Sequence, residues 1–323
     1  MSFTFELKNG ADHSFFEIKG DKETPAGTRE RVLEIPQSAT DENNKEYPVE
    51  VIGNHAFSSR KDIEEIHVPD SIHTILGFAF HNCSNLRKIK MSDSVTEYLD
   101  GSTRQCENLT EIEIDINRGN YQIIRRILED NDRRLAFRMH LSGEDAFLVF
   151  PGFNYDFVEN TMARTIQFAI EGTGYAYREC VKASEINFRE YDNMFSKASA
   201  DDSVTAEMIA IGRLSFPYEL SDDSRNNYEN WLSQNALKNL KRVINLKNGI
   251  VTEPDSGPED HFDFYIKRKF IGKEVADQLS HIASDHGMTA LVGMLMNYAN
   301  SLSMETAEGA DALKDDGFLE LDF

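Results

Sequence analysis

The densest group of residue types that could do chemistry lies at positions 172–180, which read Gly-Thr-Gly-Tyr-Ala-Tyr-Arg-Glu-Cys. Its glycines could bring backbone amides towards an anion, and the Arg178 guanidinium could hold a carboxylate or a phosphate through two hydrogen bonds. A lone Gly-x-Gly does not specify such a site, and no phosphate-binding lysine pattern follows it. Tyr177 and Arg178 are therefore ligand-binding candidates, and the alternative is aromatic packing with a structural Arg–Glu pair.

The spacings that metal ions require are missing from the sequence. His281 and His286 lie five positions apart, which suits one helix face less well than a separation of four. Cys83 and Cys106 have no Cys-x-x-Cys partner, so small buried side chains are the simpler interpretation. One polar loop lacks the alternating ligand order of calcium loops, and its acids are Asp255, Glu259, Asp260 and Asp263. We predict no metal and no cofactor.

The element that organises the chain is a pattern repeated between residues 52 and 114. Ile52, Ile75 and Tyr98 stand 23 residues apart, and Cys83 precedes Cys106 by the same step. A fixed period of this length predicts a solenoid, in which each unit is too small to bury its own apolar side and packs on its neighbours. Such an architecture is typical of interaction proteins.

Each unit contains one strand and one turn or short helix. In residues 65–68, Ile66 and Val68 point inward while Glu65 and His67 point outward. The stretch VIGNHAFSSRKDIEEIHVPDSIHTILGFAFHNCSNLRKIKM resembles the leucine-rich repeats of the BspA-like class, whose units read roughly I-G-x-x-A-F-x-x-C-x-x-L-x-x-I-x-I-P-x-x-V. The resemblance implies a curved solenoid with a strand-lined binding face, and some members of the class are surface proteins. It weakens after residue 91, which we interpret as the last unit before a cap.

Charged residues occupy the outward positions of successive strands in the predicted parallel sheet. A basic row lies between two acidic rows, and the six members are Glu65, His67, Lys88, Lys90, Glu111 and Glu113. Opposite charges on adjacent strands attract each other by about 0.2 to 1 kcal/mol per pair. The six residues therefore form either a self-compensating, solvated face or, as our hypothesis, a partner-binding surface.

Composition restricts the classes of partner. The formal net charge is −22, and residues 1–117 carry 22 acids and 12 bases, so that both halves of the chain are acidic. Neither half looks built to neutralise phosphates, and we expect no nucleic acid and no membrane as partners. The three cysteines fit a reducing compartment, and the start of the sequence lacks a signal-peptide pattern, which predicts a cytoplasmic location. A cell-surface adhesin is the alternative if the native gene is secreted.

Strands are predicted on both sides of the repeats. A hairpin is expected around Asn9-Gly10, and an earlier repeat strand at 32–35. A helix is predicted at 121–128, followed by a strand pair at 135–141 and 147–150 that could cap the solenoid or extend its sheet. Strand and helix both remain open for 154–181. Helices follow from 184, including one with Ser221 as N-cap and another at 236–248.

The segment 279–299 resembles the two-helix part of an ankyrin repeat. Ala283, Gly287, Leu295 and Ala299 fall where that family places its Ala, turn Gly, inner Leu and closing Ala, although its Thr-Pro-Leu-His opening is absent. The wider region is also similar to helical C-terminal domains of bacterial cytoplasmic repeat proteins of unknown role. Both resemblances imply protein binding.

These observations predict an α+β protein in which an N-terminal leucine-rich repeat solenoid precedes a mostly α-helical, repeat-like domain. The expected parts are a repeat domain with a β cap at 1–117, a mixed connector at 118–181, a helical domain at 182–304 and an acidic tail at 305–323. We predict a protein-binding scaffold without catalysis, because no nucleophile, base and orienting group stand at motif spacing. An uncharacterised enzyme or ligand binder near 172–180 is the alternative.

Overall fold

The computed structural model describes residues 3–21, 31–160, 165–246 and 258–315. The chain divides into two compact units, Met1–Ser224 and Arg225–Phe323. The first holds the repeats and the second is helical, as the predicted fold class requires.

The first unit is built on two six-stranded sheets. It opens with the predicted hairpin of β1 (Phe3–Asn9) and β2 (Ser14–Asp21). The strands that follow are β3 (Val32–Glu34), β4 (Ser38–Thr40), β5 (Glu46–Ile52), β6 (Glu65–His67), β7 (Thr74–Ile75), β8 (Lys88–Ser92), β9 (Glu97–Tyr98) and β10 (Glu111–Asp115). In the back sheet the order is β1-β2-β5-β7-β9, with β4 paired to β5. The front sheet contains β3, β6, β8 and β10 as parallel neighbours.

The 23-residue step becomes a stack of identical side chains in the core. Ile66, Ile89 and Ile112 are aligned across the front sheet and are all buried. The Phe57 and Phe80 rings stack with centroids 5.9 Å apart. Each coil therefore buries its apolar side against the next one, which confirms the predicted solenoid.

Cys83 and Cys106 are buried and free, as expected for small apolar residues at one repeat position. The Cys83 thiol donates to the Phe57 carbonyl and the Cys106 thiol to the Phe80 carbonyl, each at 3.2 Å.

The unit in which the repeat pattern weakens meets a polar cap. Helix α1 (Gln122–Asp130) follows β10, and its Asp130 carboxylate accepts hydrogen bonds from the Gly101 and Thr103 amides at 2.8 and 3.1 Å. Thr103 replaces the repeat's usual Phe and is buried beside the Tyr98 hydroxyl, 2.8 Å away. The departure from the repeat pattern thus supplies polar partners for α1.

The front sheet does not end with the repeats. Strand β11 (Leu135–Leu141) pairs in parallel with β10, and β12 (Glu144–Phe150) pairs antiparallel with β11. The strand pair predicted from the sequence therefore extends the sheet rather than capping it separately. The front sheet is ordered β12-β11-β10-β8-β6-β3.

The region left open between strand and helix forms a hairpin of β13 (Asn154–Asn160) and β14 (Thr165–Glu171). Four helices complete the first unit: α2 (Gly174–Arg178), α3 (Phe188–Asn193), α4 (Phe195–Asp201) and α5 (Ser203–Ser215). Helix α5 packs on β12, and the predicted boundaries at 117/118 and 181/182 both fall inside one compact unit. Strands β11 and β12 and the helices on them share one compact unit with the repeats, and the two domain boundaries stay predictions.

The second unit contains longer helices than the sequence predicted. Helix α6 (Asp222–Asn245) is continuous where two helices were expected, and its predicted N-cap is confirmed, since the Ser224 amide donates to the Ser221 hydroxyl at 3.2 Å. It is followed by α7 (Pro258–Lys267), α8 (Lys273–Asp285) and α9 (Thr289–Asp315).

Helices α8 and α9 pack against each other after a turn at Gly287, which has a φ of +68°. Ala283, Leu295 and Ala299 are buried. The likeness to an ankyrin repeat stays a prediction. Helix α9 continues into the predicted acidic tail as far as residue 315, and residues 316–323 lie outside the described part of the chain.

Candidate functional site

The outward positions of the front sheet lie in the predicted register. Glu65, Lys88 and Glu111 are direct neighbours across β6, β8 and β10. His67, Lys90 and Glu113 are neighbours in the same way, two residues further along these strands. We call the outward surface of the front sheet the strand face. The alignment of the six predicted residues is confirmed, because one pleat position recurs in every coil.

Lys88 is the centre of an ion network on the strand face. Its Nζ lies 2.9 Å from the Glu111 carboxylate and 2.6 Å from that of Glu113. Partial burial acts to raise the pKa of Glu113, but the hydrogen bond from Lys88 and the nearby positive charges outweigh it, so this pKa is lowered. Lys88 is therefore held by its neighbours.

Lys90 is held less firmly than Lys88. Its Nζ lies 3.5 Å from Glu113 and 3.9 Å from Glu65, and its side chain is 40% exposed against 24% for Lys88. The carboxylate of Glu34, on β3, is 68% exposed and lies 2.7 Å from the His67 ring. Lys90 and Glu34 are thus more open to a partner than Lys88 is.

Two further residues of the strand face were missed by the sequence analysis. On β11, Arg138 lies beside Glu113 in the register, with its Nε 3.6 Å from the Glu111 carboxylate, and His140 lies beside Asp115. A hydrogen bond of 2.9 Å to Asp145 raises the pKa of His140. The alternation of Leu135, Phe137 and Met139 would have turned both side chains outward, had β11 been known to extend the sheet.

A pocket of about 610 Å³ lies at the edge of the strand face, where β6, β8 and β10 end. Arg118 closes one side by donating to both Asp70 carboxylate oxygens, at 2.9 and 2.6 Å. The hydrogen bond from Arg118 has the largest effect on the pKa of Asp70, and the one from the Ser92 hydroxyl has the next largest. Together they lower this pKa to about 2. His67 and Lys90 line the opposite side, so the pocket is continuous with the six strand-face residues.

The repeats match a known family. The model of the BspA type Leucine rich repeat region matches residues 41–127. Through these residues the chain belongs to the BspA-type leucine-rich repeat family. No curated protein matches the chain.

Solved leucine-rich repeat proteins are similar to part of this BspA-type chain. One from Bacteroides ovatus ATCC 8483 is 27% identical over 36% of this chain and 30% of its own, with a TM-score of 0.31. Another, from Bacteroides capillosus ATCC 29799, is 30% identical over 36% of this chain and 89% of its own, with a TM-score of 0.30. A leucine rich cell surface protein from Faecalibacterium prausnitzii A2-165 is 23% identical over 35% and 36%, with a TM-score of 0.27. The chain thus spans about a third of the first and third of these proteins.

Outside the BspA-type repeats, Arg178 is engaged by main-chain oxygens. Its guanidinium donates to the carbonyls of Pro151 at 2.6 Å and Gly174 at 2.9 Å. It also donates to the carbonyl of Leu128 in the last turn of α1 at 3.4 Å, and to those of Asn131 at 2.8 Å and Arg133 at 3.0 Å just after this helix. A guanidinium has five N–H donors, and all five are directed at these oxygens. These donors hold three segments of the chain together, and the binding of a ligand anion by Arg178 stays a prediction.

Two other members of the 172–180 cluster, Tyr177 and Gly174, also have structural roles. Tyr177 is fully buried, its ring centroid lies 4.8 Å from that of Tyr191, and burial raises its pKa. A Cβ atom on Gly174 would collide with the carbonyl oxygens of Pro151 and Gly152. This glycine therefore permits a close approach of two chain segments, and the Tyr177 hydroxyl is out of reach of a ligand in solvent.

Neither a cluster of metal ligands nor a helix of membrane-spanning length and hydropathy occurs among the described residues. Within them, no group of three or more His, Cys, Asp and Glu residues could hold a metal ion. Asp263 lies 2.9 Å from Lys267, whereas the side chains of the other three acids of the predicted polar loop lie outside the described part. None of the helices in that part is long and apolar enough to cross a membrane.

Proposed function

We propose that this protein is a binding module that recognises a protein partner through the strand face. The observation that carries the proposal is the register of charged rows from β6 to β11, which presents carboxylates and cations at fixed spacing on a rigid sheet. Family membership supports it, since solenoids of this kind offer extended surfaces for other proteins. We propose binding without catalysis.

The exposed charges define what such a partner must supply. Lys90 is the lysine that binds a carboxylate of the partner most readily, because its own contacts of 3.5 and 3.9 Å are long. Glu34, which lies on the side of His67 away from Lys90, binds a lysine or arginine of the partner. Because β6 lies between the strands of Glu34 and Lys90, the partner carries both signs of charge at a spacing of two strand steps, about 10 Å.

The test is affinity capture from a lysate of the native cell, comparing wild type with Lys90→Glu. We expect one stoichiometric protein with the wild type and its loss in the variant, because the reversed charge repels the partner's carboxylate. Lys88→Glu is less useful, since it would place a third acid between Glu111 and Glu113 and threaten the fold.

The matched control is Arg126→Glu, on α1. It changes the net charge equally, and its side chain is 50% exposed with one contact of 2.9 Å to Glu129. Equal loss of the partner in both variants would show an effect of net charge and would count against the strand face. Unchanged capture by Lys90→Glu would reject the proposal.

A cytoplasmic location is a separate proposal. It is supported by the three cysteines, which are all free and buried, as in proteins of reducing compartments. Fractionation of the native cell with an antibody against the chain tests it. Recovery in the cell-surface fraction would favour the adhesin alternative.

A further inference from the structure

Apart from the three-residue β4, which pairs with β5 beside the main order of the back sheet, the two six-stranded sheets end in four edge strands, and three of these are short or covered. On the front sheet, β3 has three residues, and β12 is covered by the Tyr191 hydroxyl, which bonds to the Val149 amide and carbonyl at 2.9 and 2.7 Å. On the back sheet, β9 has two residues and contacts α1. The fourth edge, β1, is seven residues long, and β2 is its one strand partner in the described part of the chain.

An open edge of this length is a template for another strand. The apolar side of β1 faces the core through Phe3 and Phe5. The ring centroid of Phe3 lies 6.2 Å from that of Phe57, and the ring centroid of Phe5 lies 5.4 Å from that of Phe16. Leu7 continues that side but is 40% exposed. Its exposure leaves an apolar end on the edge that a further strand would cover.

The opposite side of β1 carries an alternating charge array. Lys8 lies 2.7 Å from Glu6 and 3.4 Å from Glu17. Lys19 lies 2.8 Å from Glu17 and 3.4 Å from Glu6. Each cation therefore touches two acids on adjacent strands, and a strand added at the edge must continue this alternation to be stabilised.

We propose that β1 pairs antiparallel with β1 of a second copy, about a two-fold axis through Leu7. This register places Leu7 opposite Leu7 and Glu6 opposite the partner's Lys8, twice by symmetry. Centring the axis on Glu6 or on Lys8 would set like charges opposite each other. Registers shifted by one residue would turn the apolar side outward. The second copy thus covers Leu7 and continues the alternation of charge in one alignment, and the pairing leaves the strand face free.

The first test is sedimentation over a concentration series that reaches the millimolar range. Because the contact is a single strand, we expect a monomer–dimer equilibrium with a dissociation constant of about 10 µM to 1 mM. Leu7→Lys should weaken it about tenfold or more, since two lysines would meet at the axis. The control is Leu99→Lys, at a leucine of 42% exposure outside β1, which should leave it unchanged. A strictly monomeric wild type, or equal effects of the two variants, would overturn the proposal.

The second test isolates the register. Glu6→Lys sets two lysines against each other in a homodimer, and Lys8→Glu sets two glutamates against each other. Each variant alone should be mainly monomeric, whereas an equimolar mixture should form a heterodimer because residue 6 of one copy meets residue 8 of the other. Circular dichroism confirms that both variants are folded. A mixture that is as monomeric as its components would overturn the register. A strand of another protein found on β1 in place of the second copy would overturn the pairing itself.

Discussion

The Tyr191 hydroxyl accepts a hydrogen bond from the Val149 amide at 2.9 Å and donates one to the Val149 carbonyl at 2.7 Å. One side chain thereby takes the place of the next strand at the edge of the front sheet. Both groups are buried, and neither would be satisfied without it.

Tyr191→Phe keeps the ring contacts and removes both hydrogen bonds. We expect the free energy of unfolding to fall by about 2 to 4 kcal/mol, because a buried amide and a buried carbonyl lose their partner. Urea denaturation measures it. Tyr175→Phe, at a tyrosine that is 42% exposed, is the control and should change stability by less than about 0.5 kcal/mol. Equal effects would contradict the role given to Tyr191.

Arg178→Lys removes a planar donor that serves five carbonyls and replaces it with a single ammonium. We expect a loss of about 3 kcal/mol or more, because a lysine has three donors on one atom and leaves at least two carbonyls without a partner. Thermal unfolding measures it, with Arg133→Lys, at a side chain 61% exposed, as the control. Inorganic phosphate should not stabilise the wild type. Stabilisation by phosphate that Arg178→Lys abolishes would restore the anion-site hypothesis.

Asp70→Asn tests the effect of pH on the Arg118 contact. The folded pKa of Asp70 is lowered to about 2 from 3.8, so its contribution is present at neutral pH and is lost as pH falls through 3.8 towards 2. Since its side chain is 55% exposed, solvent screening limits the contribution to about 0.5 to 1 kcal/mol.

Urea unfolding at pH 7 and near pH 2 should show that the difference between wild type and Asp70→Asn closes in acid. Asp100→Asn, at a carboxylate that is 77% exposed and contacts Arg104, is the comparison and should show a smaller difference at pH 7. A difference for Asp70→Asn that persists unchanged in acid would contradict the assignment.

The three thiols should be unreactive in the folded protein. Burial raises the pKa of Cys180 to about 12, and contact with Cys83 together with burial raises the pKa of Cys106. Because the thiolate is the reactive species, iodoacetamide at neutral pH should label none of them before unfolding and all three in urea. Labelling followed by mass spectrometry measures this. Rapid modification of the native Cys180 would contradict its burial.

The repeats could be predicted because each coil repeats the same physical problem. The 23-residue step aligned Ile66 with Ile89 and Ile112, and it therefore also fixed which charges share a row. The period stops after β10, whereas the sheet continues. Arg138 and His140 were missed because β11 belongs to the sheet by pairing and not by repetition.

The contacts of Arg178 could not be read from the sequence for a different reason. Five carbonyls from three chain segments converge on it, and backbone oxygens leave no mark on the sequence. The expected partners were a carboxylate or phosphate of a ligand or a glutamate of the chain, since only side chains can be read from residue types. Long-range main-chain contacts of this kind become visible only in three dimensions.

The front sheet of the solenoid is terminated at both edges by structures that do not repeat. β12 reverses direction and is covered by Tyr191, while β3 ends after three residues at the other side. Duplication or loss of one 23-residue coil between them would change the length of the strand face by about 4.8 Å and by one row of outward residues. Both edges would stay unchanged. The length of the strand face can therefore change in evolution by whole coils while the structures at its two edges are kept.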